Sequence, residues 1–548
     1  MDDTKRMLLA VVLSIAVMWV YATFFAPQPE TTAPKPKPAA EQKAAKNEKA
    51  APKSVRPVAP ETQAPAPAPA GPARRIVVDT PLYTATFSEA GASLQKVILK
   101  RYYNKPEKQG GPFVMLDLKD HRPYSLALEL GKGTEKLAVL HFRAARERLE
   151  LSKGEGKKSL AFTARLGGLE VVKTYTFDPA TYAFRLEVTV INRGKELRPV
   201  TPGITLTEDP AKGKINSYAF TGVLYYKDGK VEEISHDDLG EDKPDSGSIA
   251  WMAMSIPYFM GAVAPEDLPP TTKLTVTSAK LDGYMAGTLL GPTRELPPGA
   301  QTSFTYLVYY GPRDLDILEG VGHHLAAAVD FGWFDFIAKP MLAALKFLYR
   351  YVGNYGVAII IITILVKFLF WPLTARSYKS MKKMQKLAPQ VQRIREKYKG
   401  DKQRMNQEVM QLYKTYKVNP MGGCLPMLVQ IPVFIAFYKV LGISIELRHA
   451  PFMLWINDLS APDRLWPELG IPWVGGIPVL TLLMGVSMFI QQKMTPTTGD
   501  PTQAKMMMLM PVVFTFLFIN FPSGLVLYWL VNNLLSIGQQ YLTNKRKD

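Results

Sequence analysis

The residue with the most unusual chemistry is a lysine inside a long apolar stretch. Lys367 lies within residues 359–372, where every other side chain except Thr363 is apolar. A cation at the centre of a bilayer costs ~2.5–3.5 kcal/mol on insertion scales, so a polar partner or a water-filled cavity is implied. The alternative is snorkelling, because Lys367 lies ~10 Å of helix from the predicted cytoplasmic end and a lysine stem can cover much of that distance.

Polar side chains recur at helical spacing in the last apolar segment of the chain. Five of them share one helix face with Asn533 beside them: Trp529, Asn532, Ser536, Gln539 and Gln540. Polar side chains in lipid usually face the interior of a helix bundle. The pattern predicts a wet groove with a single positive charge, and interhelical hydrogen bonding without water is the alternative. The candidate groove residues are Lys367, Thr363, Gln430, Asn532, Ser536 and Gln539.

The motifs of common enzyme classes are incomplete. Residues 154–159 resemble a phosphate-binding loop, but the first glycine of that motif is missing at the required spacing. The His323-His324 pair has no metal-ligand companion nearby in the sequence. Ser523 resembles the nucleophile of an intramembrane protease, yet no histidine lies in any predicted span to act as its base. We therefore predict no enzymatic activity, no cofactor and no bound metal.

The elements that must position these residues begin with an N-terminal anchor. Residues 7–26 form an apolar run that is long enough to cross a bilayer, so 1–26 is predicted to be a transmembrane anchor. A cleaved signal peptide is the alternative, but the run is long and no small-x-small pattern precedes a cleavage site. Residues 27–74 are rich in Pro, Ala and Lys and predict a flexible, extended linker.

Residues 75–312 predict a large all-β domain. Tyr182–Val190 alternates apolar and polar side chains and is followed by a turn signal at Asn192-Arg193-Gly194. Similar patterns occur at 83–87, 171–177, 274–277 and 304–310, and helical patterns are scarce between them. We interpret this region as an antiparallel β-sandwich. Its core alone must stabilise it, since the chain of 548 residues has one cysteine, Cys424, and cannot form an intramolecular disulfide.

The C-terminal half predicts five membrane spans in residues 354–542. Residues 313–353 connect to them and include an amphipathic helix, which lies in the membrane interface or, alternatively, packs on the β-domain. The spans are 355–373, 421–443, 477–490 and the two halves of 506–537, which Asn520, Pro522, Ser523 and Gly524 interrupt. Residues 506–521 make only ~24 Å of helix, which predicts local thinning of the bilayer unless flanking residues extend the helix.

Charge placement predicts the orientation of the chain. Residues 374–418 contain thirteen Lys or Arg residues against three acids, so this segment is predicted to be cytoplasmic. The short basic tail, 543–548, follows the same rule, as do Lys5 and Arg6. Six spans then place both termini in the cytoplasm and the β-domain outside. The formal net charge of +18 also predicts an anionic partner such as lipid headgroups or ribosomal RNA, if it does more than set this orientation.

The cytoplasmic segment 375–417 predicts a helical hairpin. Apolar residues recur at helical spacing on both sides of the Gly400-Asp401 turn: Met381, Met384, Leu387, Val391, Ile394, Tyr398, Met405, Val409, Leu412 and Tyr416. The exposed faces are strongly basic and include Lys382, Lys383, Arg393 and Arg395. These faces predict contact with a ribosome or an incoming polypeptide, and the alternative is a helical segment that only sets the orientation.

Several motifs in the membrane half resemble one known family. Residues 418–426 (VNPMGGCLP), 430–432 (QIP), 452–460 (FMLWINDLS), 492–496 (QKMTP) and 521–528 (FPSGLVLY) are similar to the Gram-negative form of the YidC family of membrane protein insertases. The resemblance covers nearly the whole chain. It departs at Lys367, where the family usually has arginine, and at Trp529, where close relatives have tyrosine. The positive charge is kept, but the bidentate fork of arginine is lost.

This resemblance implies both a function and an architecture. The core would enclose a hydrophilic groove that opens to the cytoplasm and to lipid and is closed toward the periplasm. The apolar segment of a client would slide along Ile431, Pro432, Phe434, Tyr528 and Trp529. The protein would insert nascent membrane proteins into the inner membrane, alone or beside the Sec translocon, with the β-domain forming a periplasmic β-supersandwich.

Two other functions compete with insertion. The first is a small-molecule or ion transporter with an external binding domain, but transporters often show repeated halves and several intramembrane charges. This chain has one deep charge and no obvious repeat. The second is a purely structural envelope protein whose β-domain docks a partner.

Overall fold

The computed structural model describes residues 73–545 except for short gaps. The gaps are 120–123, 132–136, 138–139, 210–219, 241–243, 269–271, 282, 417, 419–424, 471–473 and 495–500. The predicted N-terminal anchor, almost all of the predicted linker and residues 546–548 of the tail lie outside the described residues.

The first half of the described chain consists of twenty strands. They are β1 (Arg75–Asp79), β2 (Tyr83–Ser88), β3 (Ser93–Tyr103), β4 (Pro112–Asp117), β5 (Ala127–Glu129), β6 (Arg143–Ala144), β7 (Arg148–Glu150), β8 (Lys158–Leu166), β9 (Leu169–Phe177), β10 (Ala183–Asn192), β11 (Arg198–Val200), β12 (Gly203–Glu208), β13 (Gly222–Lys227), β14 (Lys230–Ser235), β15 (Asp245–Ile256), β16 (Phe259–Pro265), β17 (Lys273–Leu281), β18 (Tyr284–Leu290), β19 (Arg294–Leu296) and β20 (Gln301–Pro312). All five predicted strand regions are confirmed as strands.

These strands form two main sheets. The smaller sheet has the order β4-β3-β2-β1-β7, and the larger has the order β5-β12-β18-β17-β15-β16-β20-β10-β9-β8-β6, with β13 bonded to β14 and β15. Pairing between the described strands is antiparallel except for β1 with β7. A separate pair joins β11 to β19. In β10 the predicted alternation is observed, since Leu186 and Val188 are buried while Arg185 and Glu187 are exposed.

Aromatic side chains fill the space between the two sheets. The ring of Phe87 in β2 lies 4.6 Å from that of Tyr175 in β9 and 5.8 Å from that of Phe177. Lys173, one pleat before Tyr175, is also fully buried, and its Nζ donates to Gly91 O at 3.1 Å and to Leu126 O at 2.8 Å. Burial lowers the pKa of Lys173 to about 7. The predicted β-sandwich is confirmed.

Nine α-helices follow the strands in the described chain. They are α1 (Leu315–Val321), α2 (Asp335–Val352), α3 (Tyr355–Leu369), α4 (Trp371–Lys397), α5 (Lys402–Thr415), α6 (Leu425–Ile443), α7 (Val479–Met494), α8 (Pro501–Phe518) and α9 (Ser523–Lys545). Within the described ranges no single helix is long and apolar enough to cross a membrane alone. The pair α3 and α4 passes the same criterion together, across a bend of 63°.

The bend between α3 and α4 corrects the predicted first span. The apolar run continues to Leu373, but α3 ends at Leu369 and α4 begins at Trp371. Pro372 lies in the first turn of α4, where its missing N–H has no intrahelical partner to lose. Lys367 is therefore in the last turn of its helix rather than well inside a longer one. The predicted break in the final apolar run is confirmed, because α8 ends at Phe518 and α9 begins at Ser523.

Helices α4 and α5 form the predicted hairpin around Gly400 and Asp401. A small separate core joins them, built from Met381, Met384, Leu387, Val391, Tyr413 and Val418. The predicted stripe is wrong at one position, since Tyr413 faces this core while Tyr416 is exposed. Asp401 caps α5, where its side chain accepts a hydrogen bond from Arg404 N.

The segment after α6 connects the helices to the β-domain. Arg448 Nη2 donates to Tyr103 O at 2.8 Å, and its guanidinium lies over the rings of Phe113 and Phe259 at 5.0 and 5.4 Å. Lys346 of α2 pairs with Glu446 at 3.2 Å in the same segment. Because α2 packs against α3 and α6, the predicted amphipathic helix contacts the helical core rather than only the β-domain.

Candidate functional site

Helix α3 directs Lys367 toward the inside of the helix bundle. Asn354 caps the helix by accepting a hydrogen bond from Val357 N at 3.1 Å. The helical period then places Lys367 on the buried face, with 7% of its surface exposed, while the adjacent Phe368 is 65% exposed. The side chain does not extend to the surface, as the snorkelling alternative would require.

Helix α9 supplies two neutral polar partners to Lys367. Its Nζ donates to Ser536 Oγ at 2.6 Å and to Asn532 Oδ1 at 3.3 Å, both on α9. Gln430 of α6 donates through Nε2 to the same Asn532 oxygen at 2.6 Å. Four of the six predicted groove residues therefore meet in one hydrogen-bonded cluster that joins α3, α6 and α9. Among the described residues no carboxylate forms an ion pair with Lys367.

The other two predicted groove residues lie near this cluster without joining it. Thr363 is buried one turn before Lys367, and its hydroxyl donates to Ile359 O of its own helix at 2.7 Å. Gln539 lies further along α9 and donates through Nε2 to Thr374 Oγ1 at 2.7 Å. The polar face therefore continues along α9 as far as the start of α4.

Sequence reasoning missed one member of the cluster. Tyr378 of α4 hydrogen-bonds to Ser536, so it contacts the same hydroxyl as Lys367. Helical spacing in the sequence indicates this position, because Tyr378 precedes Met381 by three residues and lies on the same buried helix face. The predicted apolar stripe of the hairpin began at Met381 and did not include Tyr378.

The predicted client-contact residues separate into two groups. Trp529 packs edge-on against Phe434 with ring centroids 4.7 Å apart, and Phe518 of α8 lies 5.1 Å from Trp529. Tyr528 turns the other way and stacks on Phe437 at 4.6 Å inside the core. Phe514 and Phe518 complete the cluster around Trp529, and the sequence analysis did not identify either of them.

Ile431 and Pro432 lie at the exposed side of the same region. Ile431 is 44% exposed on α6, and Pro432 lies inside that helix. We use the name slide for the surface formed by Ile431, Pro432, Phe434 and Trp529. The slide therefore combines an open apolar edge with a packed aromatic cluster.

The outer surface of the helices is apolar, and the polar cluster lies inside an otherwise largely apolar interior. Large apolar side chains are exposed on α3, α7 and α8: Leu365, Phe368, Leu369, Leu482, Leu483, Val486, Phe489, Ile490, Val512, Val513, Phe516 and Leu517. Soluble monomers rarely expose contiguous apolar patches of this kind, so the arrangement is that of helices surrounded by lipid.

The basic residues of the hairpin lie away from its core. Lys383 and Arg393 are exposed on α4, whereas Lys382 and Arg395 are half-buried. Within the described ranges no three His, Cys, Asp or Glu side chains group closely enough to hold a metal ion. The site therefore consists of one buried cation, neutral hydrogen-bonding groups and an apolar slide.

Both halves of the chain match known families. Residues 75–344 match the YidC periplasmic domain, and residues 347–548 match the 60Kd inner membrane protein family. The chain is 42% identical to the membrane protein insertase YidC of Syntrophus aciditrophicus, over 99% of each chain. It is 44% identical to that of Geobacter metallireducens, over 99% of this chain and 98% of the relative.

A solved structure is also similar to this chain. It is a crystal structure of an active YidC insertase with the first transmembrane domain resolved, with 18% identity, a TM-score of 0.38, and coverage of 87% of this chain and 95% of that chain. The sequence relatives exceed 40% identity over almost their whole length, and two family matches cover the two halves in order. The chain therefore belongs to the YidC family of membrane protein insertases.

Proposed function

We propose that this insertase receives the polar, acidic part of a client in the cluster around Lys367. The observation that carries the proposal is that Lys367 is buried and that its hydrogen-bond partners among the described residues are neutral. A buried cation without a counter-ion attracts an anion more strongly than a solvated one, because the surrounding dielectric constant is low. An aspartate or glutamate of a client would supply the missing charge. Lysine suits this role while the groove is wet, since a dry site favours its neutral form.

Unpartnered acceptors beside the cluster support a hydrated groove. Gln539 Oε1 and Gln540 Oε1 are buried and have no hydrogen-bond donor among the described residues. Buried amide oxygens normally have a donor, which here would be water or the backbone of a client. The polar face on α9 would then give a polar segment hydrogen bonds during its passage.

The slide would guide the apolar segment of the client into lipid. Burial of ~20 apolar residues in the bilayer releases more free energy than the transfer of a short polar tail costs. Insertion then needs no nucleotide. The groove would lower the free-energy barrier for moving the polar tail across the bilayer and would leave the overall free energy of insertion unchanged. Ile431 offers the open edge of the slide, and Trp529 with Phe434 forms its aromatic floor.

The rest of the chain fits an inner-membrane insertase with a periplasmic domain. We propose that residues 1–26 anchor the chain, that 27–74 form the linker, and that both termini are cytoplasmic with six spans. The basic hairpin 375–417 would then meet ribosomes or nascent chains, and the β-domain, 75–312, would face the periplasm. The Sec translocon would act beside the slide on larger clients.

Crosslinking of the client tail tests the proposed groove. A photoreactive residue replaces Tyr378, and clients with an acidic or an isosteric Asn/Gln tail are compared in membranes. We expect more adduct with the acidic tail, and we expect Lys367→Gln to abolish this difference while Lys367→Arg keeps it, because only the charge discriminates between the tails.

Lys439→Gln is the matched control, since Lys439 is a half-buried lysine on α6 that is not part of the cluster. This variant should behave like the unmodified protein. Equal adducts for both tails in the unmodified protein would contradict the proposal.

A further inference from the structure

One loop crosses the ends of several helices next to the slide. We call residues 449–465, between α6 and α7, the capping loop. Its Phe452 O accepts a hydrogen bond at 2.8 Å from Asn354 Nδ2, the residue that caps α3. Its Leu459 O accepts from Gly524 N at 3.0 Å, in the first turn of α9. The loop therefore satisfies backbone or capping groups at the ends of two helices that carry the groove.

An aspartate of the capping loop lies at the beginning of α7. Asp463 is 2% exposed, and its Oδ2 accepts from the backbone N–H groups of Leu480 and Thr481. Its Oδ1 accepts from Trp455 Nε1 at 2.6 Å. A carboxylate at this place satisfies two unpaired helix donors and interacts favourably with the positive end of the helix dipole.

Arg464, the residue after Asp463, lies at the end of α8. Arg464 Nη1 donates to Ile519 O at 2.9 Å, and its Nη2 donates to Asn520 Oδ1 at 2.8 Å. Helix α8 ends at Phe518, so the guanidinium holds the first residues after it. A cation at a helix C-terminus is the favourable counterpart of the carboxylate on α7.

These two helix ends lead directly to the slide and the groove. Phe518 immediately precedes Ile519, and its ring lies 5.1 Å from that of Trp529 and 6.4 Å from that of Phe434. Helix α7 in turn pairs with α9, since Ser487 Oγ accepts from Asn533 Nδ2 at 3.1 Å. A shift of either helix end would therefore move the aromatic floor of the slide or the polar helix beside it.

We propose that Asp463 and Arg464 are positioning residues for insertion. Arg464 would act through Phe518 on the slide, and Asp463 would act through α7 on α9. The inference rests on the proposed groove and slide, but it concerns residues that contact neither a client nor Lys367. Since Arg464 holds only the α8 side, its loss should disturb the slide and leave the cluster around Lys367 in place.

Crosslinking at two positions separates this role from general stability. A photoreactive residue at Ile431 reports the apolar segment of a client, and one at Tyr378 reports its acidic tail. We expect Arg464→Gln to lower the Ile431 adduct about tenfold, the factor that matches loss of one charge-assisted hydrogen bond. The Tyr378 adduct should be unchanged. Arg464→Lys should restore part of the Ile431 adduct, because it keeps the charge and one donor.

Arg448→Gln is the matched control, since it removes an arginine of the neighbouring segment whose guanidinium contacts Tyr103, Phe113 and Phe259 of the β-domain. It should leave both adducts unchanged. Asn520→Ala removes a single partner of Arg464 and should give a smaller loss at Ile431, which provides a test if Arg464→Gln does not fold.

An unchanged Ile431 adduct in Arg464→Gln, or an equal loss at both positions, would overturn the proposal. Lys367→Gln is measured in parallel. If it leaves the Tyr378 adduct unchanged, the proposed groove fails, while the Ile431 result still decides the role of Arg464.

Discussion

The buried lysine of the β-domain predicts an unusual dependence of stability on pH. Lys173 has no exposed surface and donates to two backbone carbonyls, and burial lowers its pKa from the ordinary 10.5 to about 7. Since the folded-state pKa lies below the unfolded-state value, the unfolded chain binds more protons between pH 7 and 10.5. Stability should therefore rise with pH through that window and be lowest below it.

The size of the effect follows from linkage. A full proton difference changes the free energy of unfolding by about 1.4 kcal/mol per pH unit. Between pH 7.5 and 9 the β-domain of the intact protein should gain about 2 kcal/mol from Lys173. Lys173→Met keeps an unbranched side chain of similar length without the charge, so this gain should disappear. Lys230→Met, at an exposed position of β14, is the matched control and should keep it.

Pulse proteolysis of the full-length protein in increasing urea measures this gain. The fraction of intact β-domain gives its unfolding free energy at each pH, and the difference between the two variants isolates Lys173. Equal pH slopes for the unmodified protein and Lys173→Met would refute the reasoning, since the lysine would then be charged in the folded domain or solvated despite its position.

Three further changes have specific expected outcomes. Gly356→Ala should destabilise the helical core by about 1–3 kcal/mol in thermal unfolding, because its Cβ would lie 2.0 Å from Cδ2 of Phe452; unchanged melting would contradict this packing. Arg448→Gln should increase protease cleavage between β-domain and helices, and equal cleavage would argue against that contact. Lys383→Glu with Arg393→Glu should reduce ribosome co-sedimentation at low salt, and unchanged binding would exclude the hairpin as the contact.

The β-domain was predictable because its signals are local. Side chains in the predicted strands mostly alternate between a core and a surface, and this period of two is visible in the sequence without knowledge of its partners. The pairing order was not visible, since β5, β12 and β18 are neighbours in the large sheet although long stretches of chain separate them. Strand order depends on non-local contacts that a single sequence does not display.

The polar cluster around Lys367 was partly predictable for a different reason. A lysine among isoleucines and a polar helix face are both conspicuous in apolar segments, and the structure brings Lys367, Asn532 and Ser536 together. Tyr528 and Trp529 could not be separated by sequence alone, because adjacent residues on a helix point about 100° apart and either ring can face the slide. In the structure Tyr528 packs on Phe437 inside the core, whereas Trp529 packs on Phe434 at the slide.

The contacts that Asp463 and Arg464 of the capping loop make with helix ends were not visible in the sequence. Asp463 and Arg464 look like ordinary loop residues, since the helix ends that they hold are seventeen and fifty-five residues further along the chain. The bend after Leu369 had a local signal in Pro372, but the continuous apolar run through Leu373 outweighed it. Helix capping here depends on contacts between distant residues, and the bend depends on a single proline. A pattern of hydrophobicity along the sequence reports neither of them.

Insertion by the purified protein alone tests the central claim most directly. Proteoliposomes that contain only this protein receive a small, two-span client with an acidic tail, and protease protection is compared with that in empty liposomes. The account predicts protection well above the empty control without nucleotide, its retention in Lys367→Arg, and its loss in Lys367→Glu, where the groove would repel the tail. Protection that is no greater than in empty liposomes, or that is unchanged in Lys367→Glu, would contradict insertion through this charged groove.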